Sequence, residues 1–367
     1  MNRMHGIIFA YGRCAKLQTL IEHRVVDSIP YAARYRIIDF MLSNMVNAGV
    51  TDVGVILQDK YQSMLDHLGS GKDWDLSRKH GGLRLLPSVP KDDPGRAFRG
   101  KMEALAAVES YVQRIRQEYV VLANGALICN MPLDEVLREH IATGADITCV
   151  CAPERVTDKA TTYMVDEDGT ITDVLSRSTV TGGYDALEVY VVSKKLLLEL
   201  IAECDGHNEY SFHKAVLQGM KGRLKLHAYV FSAYAARIMS VADYYRRSME
   251  LLSGAVRKEL FIPERPIRTK DRSDASTYYG AESRCVNSLV SDGCIIEGDV
   301  EDSIIFRGVH VEKGAKIRSC ILMQDTVVRA GATLKYAIAD KNVTVTENRT
   351  LMGHSSYPLA ISKFSVV

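Results

Sequence analysis

The sequence carries almost no excess charge of either sign. Its 46 lysines and arginines are matched by 45 aspartates and glutamates, which leaves a formal net charge of +1. A dedicated nucleic-acid-binding protein usually shows a marked basic excess, so the balance argues against that class. No apolar stretch approaches the roughly 20 residues that a membrane span needs. Residues 1–12 also lack the longer apolar core and the cleavage site of a signal peptide. We therefore predict a cytoplasmic protein that binds neither nucleic acid nor a membrane.

Recognisable disulfide and metal motifs are also missing. None of the eight cysteines forms a CxxC pair with another, and most of them lie in apolar, strand-like runs. This pattern favours buried free thiols in a reducing compartment over zinc ligands or disulfides. Histidines such as His5, His23, His67 and His80 form no metal-ligand motif. We accordingly predict no metal and no cofactor.

The length of 367 residues suggests two domains, and the hydrophobic fraction of 47% is ordinary for a globular protein. To about residue 250, apolar runs alternate with amphipathic stretches, which is typical of a parallel sheet covered by helices on both faces. We predict an α/β, Rossmann-like domain with a mostly parallel sheet. The predicted strands are His5–Ala10, Asp52–Leu57, Tyr119–Ala123, Asp146–Ala152, Leu187–Val192 and Lys225–Phe231. The predicted helices are Ile37–Asn47, Tyr61–Leu68, Lys101–Glu118, Leu133–Ala142, Lys194–Glu203 and Val241–Leu252. The sequence DEDG at 166–169, between two short apolar runs, predicts an added hairpin.

The pattern changes after residue 258. Two prolines and many charges over 259–274 predict a linker, which we place at 259–280. Beyond it, apolar residues recur every five or six positions, and glycines punctuate them. The recurring residues are Val300, Ile305, Val311, Ile317, Leu322, Val328 and Leu334. A period near six is typical of a β-helix. We predict a left-handed parallel β-helix over 281–367, after a first domain over 1–258.

The most informative motif is YRIIDFMLSN at Tyr35–Asn44. It strongly resembles a block of the bacterial and plant ADP-glucose pyrophosphorylases, which are glucose-1-phosphate adenylyltransferases. The triplet Asp340-Lys341-Asn342 also matches that family, and the resemblance extends over nearly the whole chain. It implies a nucleotidyltransferase domain, a linker and a C-terminal left-handed β-helix.

The resemblance also shows where the chain departs from the family. Those enzymes join ATP to a sugar phosphate, with a glycine-rich loop, an arginine and a lysine at the phosphates. Here two of the loop glycines are replaced by Tyr11 and Cys14, and the loop arginine by Lys16. The later lysine and its proline are replaced by Val26 and Asp27. These changes fill the space of the nucleotide and place an anion beside an anionic substrate.

The two aspartates that hold Mg²⁺ in the family are lost as well. Gly125 stands at the first position and Arg237 at the second. The family's GTADA segment is Gly100–Ala104 here, and its sugar-binding EKP motif falls near Leu175–Ser178 without its Glu or Lys. One preorganised electrostatic contact is often worth about 3–4 kcal/mol of barrier. Because several are lost together, we predict no catalytic residues in this chain.

This combination of an intact scaffold and a degenerate site resembles the GlgD-type subunit of bacterial ADP-glucose pyrophosphorylase. The segments Asn287–Gly298 and Met323–Thr326 add to that resemblance. It implies a non-catalytic, regulatory subunit that assembles with a catalytic ADP-glucose pyrophosphorylase subunit in glycogen biosynthesis. The expected assembly is a hetero-oligomer, most simply a tetramer.

Three cations align with positions that contact anionic effectors in some members of the family: Arg34, Lys341 and Lys363. An effector such as a sugar bisphosphate needs several converging cations. The resemblance therefore implies an effector site at these residues. The alternative is that each is an ordinary solvated or ion-paired side chain.

Other functions stay open at this point. An active adenylyltransferase with an unusual site would need Lys16, Asp27, Glu103 and Asp166 to substitute for the missing groups. A solitary scaffold that binds a sugar-phosphate effector is a second alternative. A β-helix acyltransferase, with His310 as its histidine, is the least favoured.

Overall fold

We describe a computed structural model of the chain over residues 3–12, 14–157, 161–176, 180 and 182–367. The chain divides into two compact units. The first comprises Met1–Gly12, Phe40–Arg237 and Ile262–Arg268, and the second comprises Arg13–Asp39, Ile238–Phe261 and Thr269–Val367. Within these described ranges, no helix combines the length and the apolar character needed to cross a membrane. All eight cysteines are free thiols, six of them buried.

The predicted helices are present in order, but one of them is divided, and α8 was not predicted. They are α1 Ile38–Asn47, α2 Gln62–Leu68, α3 Lys101–Ala107, α4 Glu109–Gln113, α5 Leu133–Thr143, α6 Lys194–Gly206, α7 Val241–Met249 and α8 Gly254–Leu260. Shorter 3-10 turns lie at Ala15–Ile21, Val26–Ser28, Lys72–Trp74 and Glu250–Leu252, and a π-helix lies at Phe212–Gln218. The single helix predicted over Lys101–Glu118 is wrong. The chain leaves the helical conformation at the buried, β-branched Val108 (φ −113°, ψ 20°), and α4 ends at Gln113.

A nine-stranded sheet forms the centre of the first unit. The first thirteen strands of the chain are β1 Met4–Phe9, β2 Pro30–Tyr31, β3 Tyr35–Arg36, β4 Asp52–Leu57, β5 Gly82–Pro87, β6 Tyr119–Asn124, β7 Leu127–Cys129, β8 Ile147–Ala152, β9 Thr162–Val165, β10 Ile171–Leu175, β11 Tyr184–Ser193, β12 Leu226–Val230 and β13 Ala235–Arg237. In the sheet the strands run in the order β5, β4, β1, β6, β11, β8 and β12. Strand β9 also pairs with β11, and β10 pairs with β9.

The sheet is mixed. Strands β5, β4, β1 and β6 are parallel, whereas β11 runs antiparallel to β6, β8 and β9. Every residue of β1 and β8 is buried, as expected for central strands covered on both faces. The α/β prediction is confirmed. So is the predicted hairpin: β9 and β10 pair across a turn in which Gly169 has φ +79° and the Asp166 carboxylate accepts the Thr170 N–H at 2.7 Å.

The second unit contains the predicted left-handed β-helix. Its strands are β14 Tyr278–Tyr279, β15 Arg284–Val286, β16 Leu289–Val290, β17 Ile295–Ile296, β18 Asp299–Glu301, β19 Ile304–Ile305, β20 His310–Val311, β21 Lys316–Arg318, β22 Ile321–Leu322, β23 Val327–Val328, β24 Thr333–Lys335, β25 Ala337–Ala339, β26 Thr344–Val345, β27 Thr350–Met352 and β28 Leu359–Ile361. Every third strand joins the same parallel sheet, which gives three sheets of five strands. The seven residues of the predicted six-residue period are all buried.

Two earlier segments of the chain belong to this second unit. The Tyr244 hydroxyl on α7 donates to the Pro30 carbonyl at 2.8 Å, and the Tyr245 hydroxyl donates to the Ser319 carbonyl at 2.8 Å. The ring of Phe261 stacks on Tyr35, with 5.4 Å between their centroids. Helix α7 therefore contacts both the β-helix and the segment that leads into the YRIIDF motif.

Candidate functional site

Glu188 occupies an unusual place in the first unit. It lies within β11, where the pairing with β8 shifts register between Ala186 and Val189. Its φ of +56° is in the left-handed region, which costs a non-glycine residue of order 1 kcal/mol or more. The bulge places Glu188 beside the carboxyl end of β6, because Val189 pairs with Ala123 and Asn124 follows.

The Glu188 carboxylate is the centre of a buried ion cluster. Oε1 accepts Arg237 Nη1 at 2.8 Å, and Oε2 accepts Asn124 Nδ2 at 3.1 Å and the ammonium group of Lys101. The second nitrogen of Arg237 donates to the Leu187 carbonyl at 2.7 Å. The side chains of Lys101, Glu188 and Arg237 are 14%, 20% and 10% exposed. Both oxygens of the carboxylate therefore have partners from the chain itself.

The charges of the cluster determine which forms of Glu188 and His213 are present. Burial acts to raise the pKa of Glu188, but the cations Arg237 and Lys101 outweigh it and hold that pKa well below its usual range. Burial and the Lys101 charge lower the pKa of the neighbouring His213 to about 4. His213 also bonds the Tyr190 hydroxyl at 2.8 Å. Near neutral pH the cluster consequently holds two cations, one carboxylate and a neutral imidazole.

Arg237 of this cluster and Gly125, next to Asn124, are the two positions that the resemblance assigns to the lost metal-binding aspartates. Gly125 follows Asn124, and its N–H donates to the Phe9 carbonyl at 3.0 Å. Arg237 supplies a fixed cation at the second position. No group of three His, Cys, Asp or Glu side chains in the described ranges could hold a metal ion. Lys101 and Arg237 balance the charge of the Glu188 carboxylate. The cluster does not present two unengaged carboxylates that could bind a metal ion.

Two of the residues proposed as substitutes in an active enzyme have structural roles. Glu103 is 8% exposed and accepts from Arg96 Nη2 at 2.6 Å and from Arg99 Nη2 at 2.8 Å. Burial acts to raise its pKa, but the arginine hydrogen bonds lower it to about 2. Asp166 caps the hairpin turn. Of the other two, Lys16 is exposed and Asp27 is buried.

A second candidate site lies in the β-helix unit, at the last turns of the solenoid. Arg24 Nη2 lies 2.7 Å from Asp340 Oδ1 and 2.6 Å from Oδ2, and both side chains are almost fully buried. Asp340 Oδ1 also accepts the Lys341 backbone N–H at 2.7 Å. The aspartate of the DKN triplet thus anchors Arg24 beside Lys341.

Lys341 lies among cations. Burial is the main cause that lowers the pKa of Lys341 to about 6, and the charges of Arg36, Arg24 and Lys363 lower it further against the opposing charge of Asp340. We call Arg24, Arg36, Lys341 and Lys363 the cationic cluster. Asp340 is the carboxylate that favours the charged form of Lys341, and it already binds Arg24. Such a group of cations favours binding of an anion.

The three predicted effector residues do not all meet. Lys341 and Lys363 belong to the cationic cluster, and the Lys363 ammonium lies 4.3 Å from the Phe364 ring centroid. Arg34 is exposed and lies near Arg307 instead. Burial is the main cause that lowers the pKa of Arg307, and the charge of Arg34 lowers it further. Arg36, which is part of the YRIIDF motif, takes the place beside Lys341.

The sequence interpretation missed Arg24, Arg36 and Glu188. Arg36 could have been found, because it is a charged residue in the motif that carried the resemblance. Glu188 also leaves a signal, since it is a single acid inside the apolar run ALEVYVV. Arg24 leaves none, because its partner Asp340 is 316 positions away.

Comparison with known proteins agrees with the fold. Residues 5–174 match the nucleotidyl transferase family model, and residues 275–356 match the model described as GlmU-like, C-terminal hexapeptide. The glycogen biosynthesis protein GlgD of Bacillus subtilis is 36% identical over 99% of this chain and 96% of its own length. GlgD of Geobacillus stearothermophilus is 38% identical over 86% of this chain and 83% of its own length. A glucose-1-phosphate adenylyltransferase of Clostridium perfringens is 29% identical over 88% of this chain and 85% of its own length.

Proposed function

Because the chain belongs to the family of the GlgD glycogen biosynthesis proteins, we propose that it is a non-catalytic, regulatory subunit in glycogen biosynthesis. Its partner is a catalytic glucose-1-phosphate adenylyltransferase, with which it forms a hetero-oligomer. The observation that carries this proposal is the ion cluster of Glu188, Lys101 and Arg237. The similarity to adenylyltransferases supports the identity of the partner, since related chains present related assembly surfaces.

The ion cluster argues against turnover by this chain alone. A Mg²⁺ ion needs oxygen ligands, and proteins usually supply them from carboxylate side chains. At the second aspartate position Arg237 presents a positive charge, and Glu188 has both oxygens engaged. A divalent cation brought here meets a fixed cation in a partly buried place, where repulsion is screened less than in water.

The cationic cluster supplies the regulatory element of the proposal. Lys341 and Lys363, together with Arg36, bind an anionic effector such as a sugar bisphosphate. Regulation requires that the effector or the partner bind the two activity states of the assembly unequally. The half-buried Lys341 suits this role, because burial and the neighbouring cations disfavour its charged form until an anion binds.

The test is a titration of this protein into a fixed amount of the adenylyltransferase of the same organism. Pyrophosphate release from ATP and glucose 1-phosphate is followed, and one point contains no partner. We expect no activity without the partner, and a change in rate or effector response that saturates at a fixed ratio. Activity of the isolated chain would overturn the non-catalytic assignment. Binding of effector with no change in the partner would favour the solitary scaffold.

A pair of matched variants tests the effector residues. In Lys341→Gln with Lys363→Gln, the response to the sugar bisphosphate is expected to be lost while the saturating ratio stays the same. The control removes two exposed lysines elsewhere, by Lys195→Gln with Lys313→Gln, and should respond like the unmodified protein. Equal responses of the two double variants would contradict the assignment of Lys341 and Lys363.

A further inference from the structure

A cavity of about 470 Å³ opens at the amino ends of the parallel strands in the first unit. His5 of β1, Asp52 of β4 and Gly82 of β5 form its base, and Tyr111 of α4 forms one wall. The ion cluster of Glu188 lies beside the carboxyl end of β6 instead. None of the residues that line the cavity has a role in the proposed function.

The base of the cavity combines a neutral imidazole with one carboxylate. His5 Nε2 bonds the Tyr111 hydroxyl at 2.9 Å, and burial lowers the pKa of His5 to about 4. The Asp52 carboxylate accepts the Gly82 N–H at 2.9 Å on one oxygen and the Gln117 amide on the other. The one carboxylate that lines the cavity is thus already bonded to the chain.

The rim carries four cations: Lys79, Arg84, Arg114 and Arg116. All four are exposed, and across the described residues none of them takes part in an ion pair. By contrast, Arg3, which directly precedes β1, forms an ion pair with Glu118 at 2.7 Å. Like charges that converge without acidic partners create a positive potential, and a concave surface focuses it.

A pair of glycines fixes the loop that carries part of this rim. Gly81 and Gly82 have φ of +78° and +84°, which favours glycine. A Cβ on Gly81 would lie 1.6 Å from Asp52 Oδ1, and one on Gly82 would lie 2.2 Å from the Leu76 carbonyl. Only glycine at both positions lets the loop approach Asp52 and hold Lys79 at the rim.

We propose that this cavity is a binding site for a small molecule that bears phosphate groups. Arginine guanidinium groups bind phosphate with two parallel hydrogen bonds, and three of the four rim cations are arginines. The volume lies within the range of small-molecule sites, roughly 300–1,000 Å³. The Tyr111 ring and the buried Ile115 add an apolar surface for the rest of the ligand. The site uses none of the residues of the cationic cluster.

The test is calorimetric titration of the full chain with inorganic pyrophosphate. Arg84→Gln with Arg114→Gln should raise the dissociation constant at least about tenfold, the equivalent of about 1.4 kcal/mol. The matched control, Arg284→Gln with Arg349→Gln, removes two exposed arginines elsewhere and should bind like the unmodified protein. Binding at the cavity should also persist in Lys341→Gln, which disables the cationic cluster.

Three results would overturn the proposal. They are no binding of pyrophosphate by the unmodified chain, equal weakening in both arginine double variants, and loss of binding in Lys341→Gln alone. Because Arg84 and Arg114 are exposed and make no ion pair among the described residues, we expect unchanged thermal unfolding of their double variant. Lys79→Gln, a change in a loop, gives a second variant that should weaken binding without affecting the fold.

Discussion

Arg24 and Asp340 form a buried ion pair, 316 positions apart in sequence, in which one guanidinium nitrogen lies within 2.7 Å of both carboxylate oxygens. Their side chains are 4% and 1% exposed. The pair joins the segment before the YRIIDF motif to the last turns of the β-helix. It also orients the backbone of Lys341, whose N–H donates to the same carboxylate. A structural contact and the proposed effector site thus share one aspartate.

Removing Arg24 alone should destabilise the protein strongly. Arg24→Met leaves the Asp340 carboxylate buried without its cation, which typically costs about 3–5 kcal/mol. Denaturant unfolding of the full chain measures the change. The double variant Arg24→Met with Asp340→Asn should recover part of the loss, because no unpaired charge remains. As a control, Arg246→Gln breaks an exposed pair and should cost no more than about 1 kcal/mol. Similar losses for Arg24→Met and Arg246→Gln would contradict this account.

Lys341 should lower stability in the absence of an anion. Its pKa is about 6 in the folded chain against 10.5 as the ordinary value, so the unfolded state binds the extra proton between these two pH values. Stability therefore rises with pH across that window. Lys341→Met should be more stable than the unmodified protein near neutral pH, and the advantage should shrink as the pH approaches 10.5. Thermal unfolding as a function of pH measures this difference.

The same lysine predicts a proton signature of effector binding. An anion beside Lys341 raises its pKa, so binding near neutral pH should take up a proton. Calorimetry of sugar bisphosphate binding in buffers of different ionisation enthalpy detects that uptake. Lys341→Met should show weaker binding without uptake. A binding enthalpy that is independent of the buffer in the unmodified protein would exclude Lys341 as the titrating group.

The sequence predicted the regular parts of this molecule and missed its long-range charge contacts. The strand Asp52–Leu57 and the β-helix follow from apolar periodicity, because burial imposes that pattern locally. The break at Val108 was missed, since the tendency of the flanking residues to form helix hides it. The left-handed backbone at Glu188 has no sequence signature, and its partners come from three other elements of the fold. Gly125 and Arg237 could be singled out because they interrupt motifs of a known family, and Lys341 and Lys363 because they align with effector positions of that family.

The loop before α3 should open when Glu103 is neutralised. Glu103 holds both Arg96 and Arg99, and the Gln58 amide adds a bond to the Arg96 carbonyl at 2.7 Å. The pKa of Glu103 is about 2 against 4.5 ordinarily, so its stabilising effect is present above pH 4.5 and is lost as the pH falls towards 2. Glu103→Gln should increase proteolytic cleavage and amide exchange at residues 91–99. Glu118→Gln, at an exposed pair with Arg3, should leave that loop protected.

Neutralising Glu188 should lower the free energy of unfolding, because the ion cluster loses its carboxylate. Glu188→Gln keeps the size and the backbone conformation of the residue but leaves Arg237 and Lys101 without a carboxylate. We expect a loss of several kcal/mol, in the range of about 3–5 kcal/mol for broken buried pairs. Because the pKa of Glu188 is held well below 4.5, the difference from the unmodified protein should be full above that pH and decrease below it. Adding Arg237→Leu should restore part of the stability, since one unpaired cation is then removed. If Glu188→Gln and the exposed Glu118→Gln lose equally little in denaturant unfolding, the cluster is not a stabilising feature of the first unit.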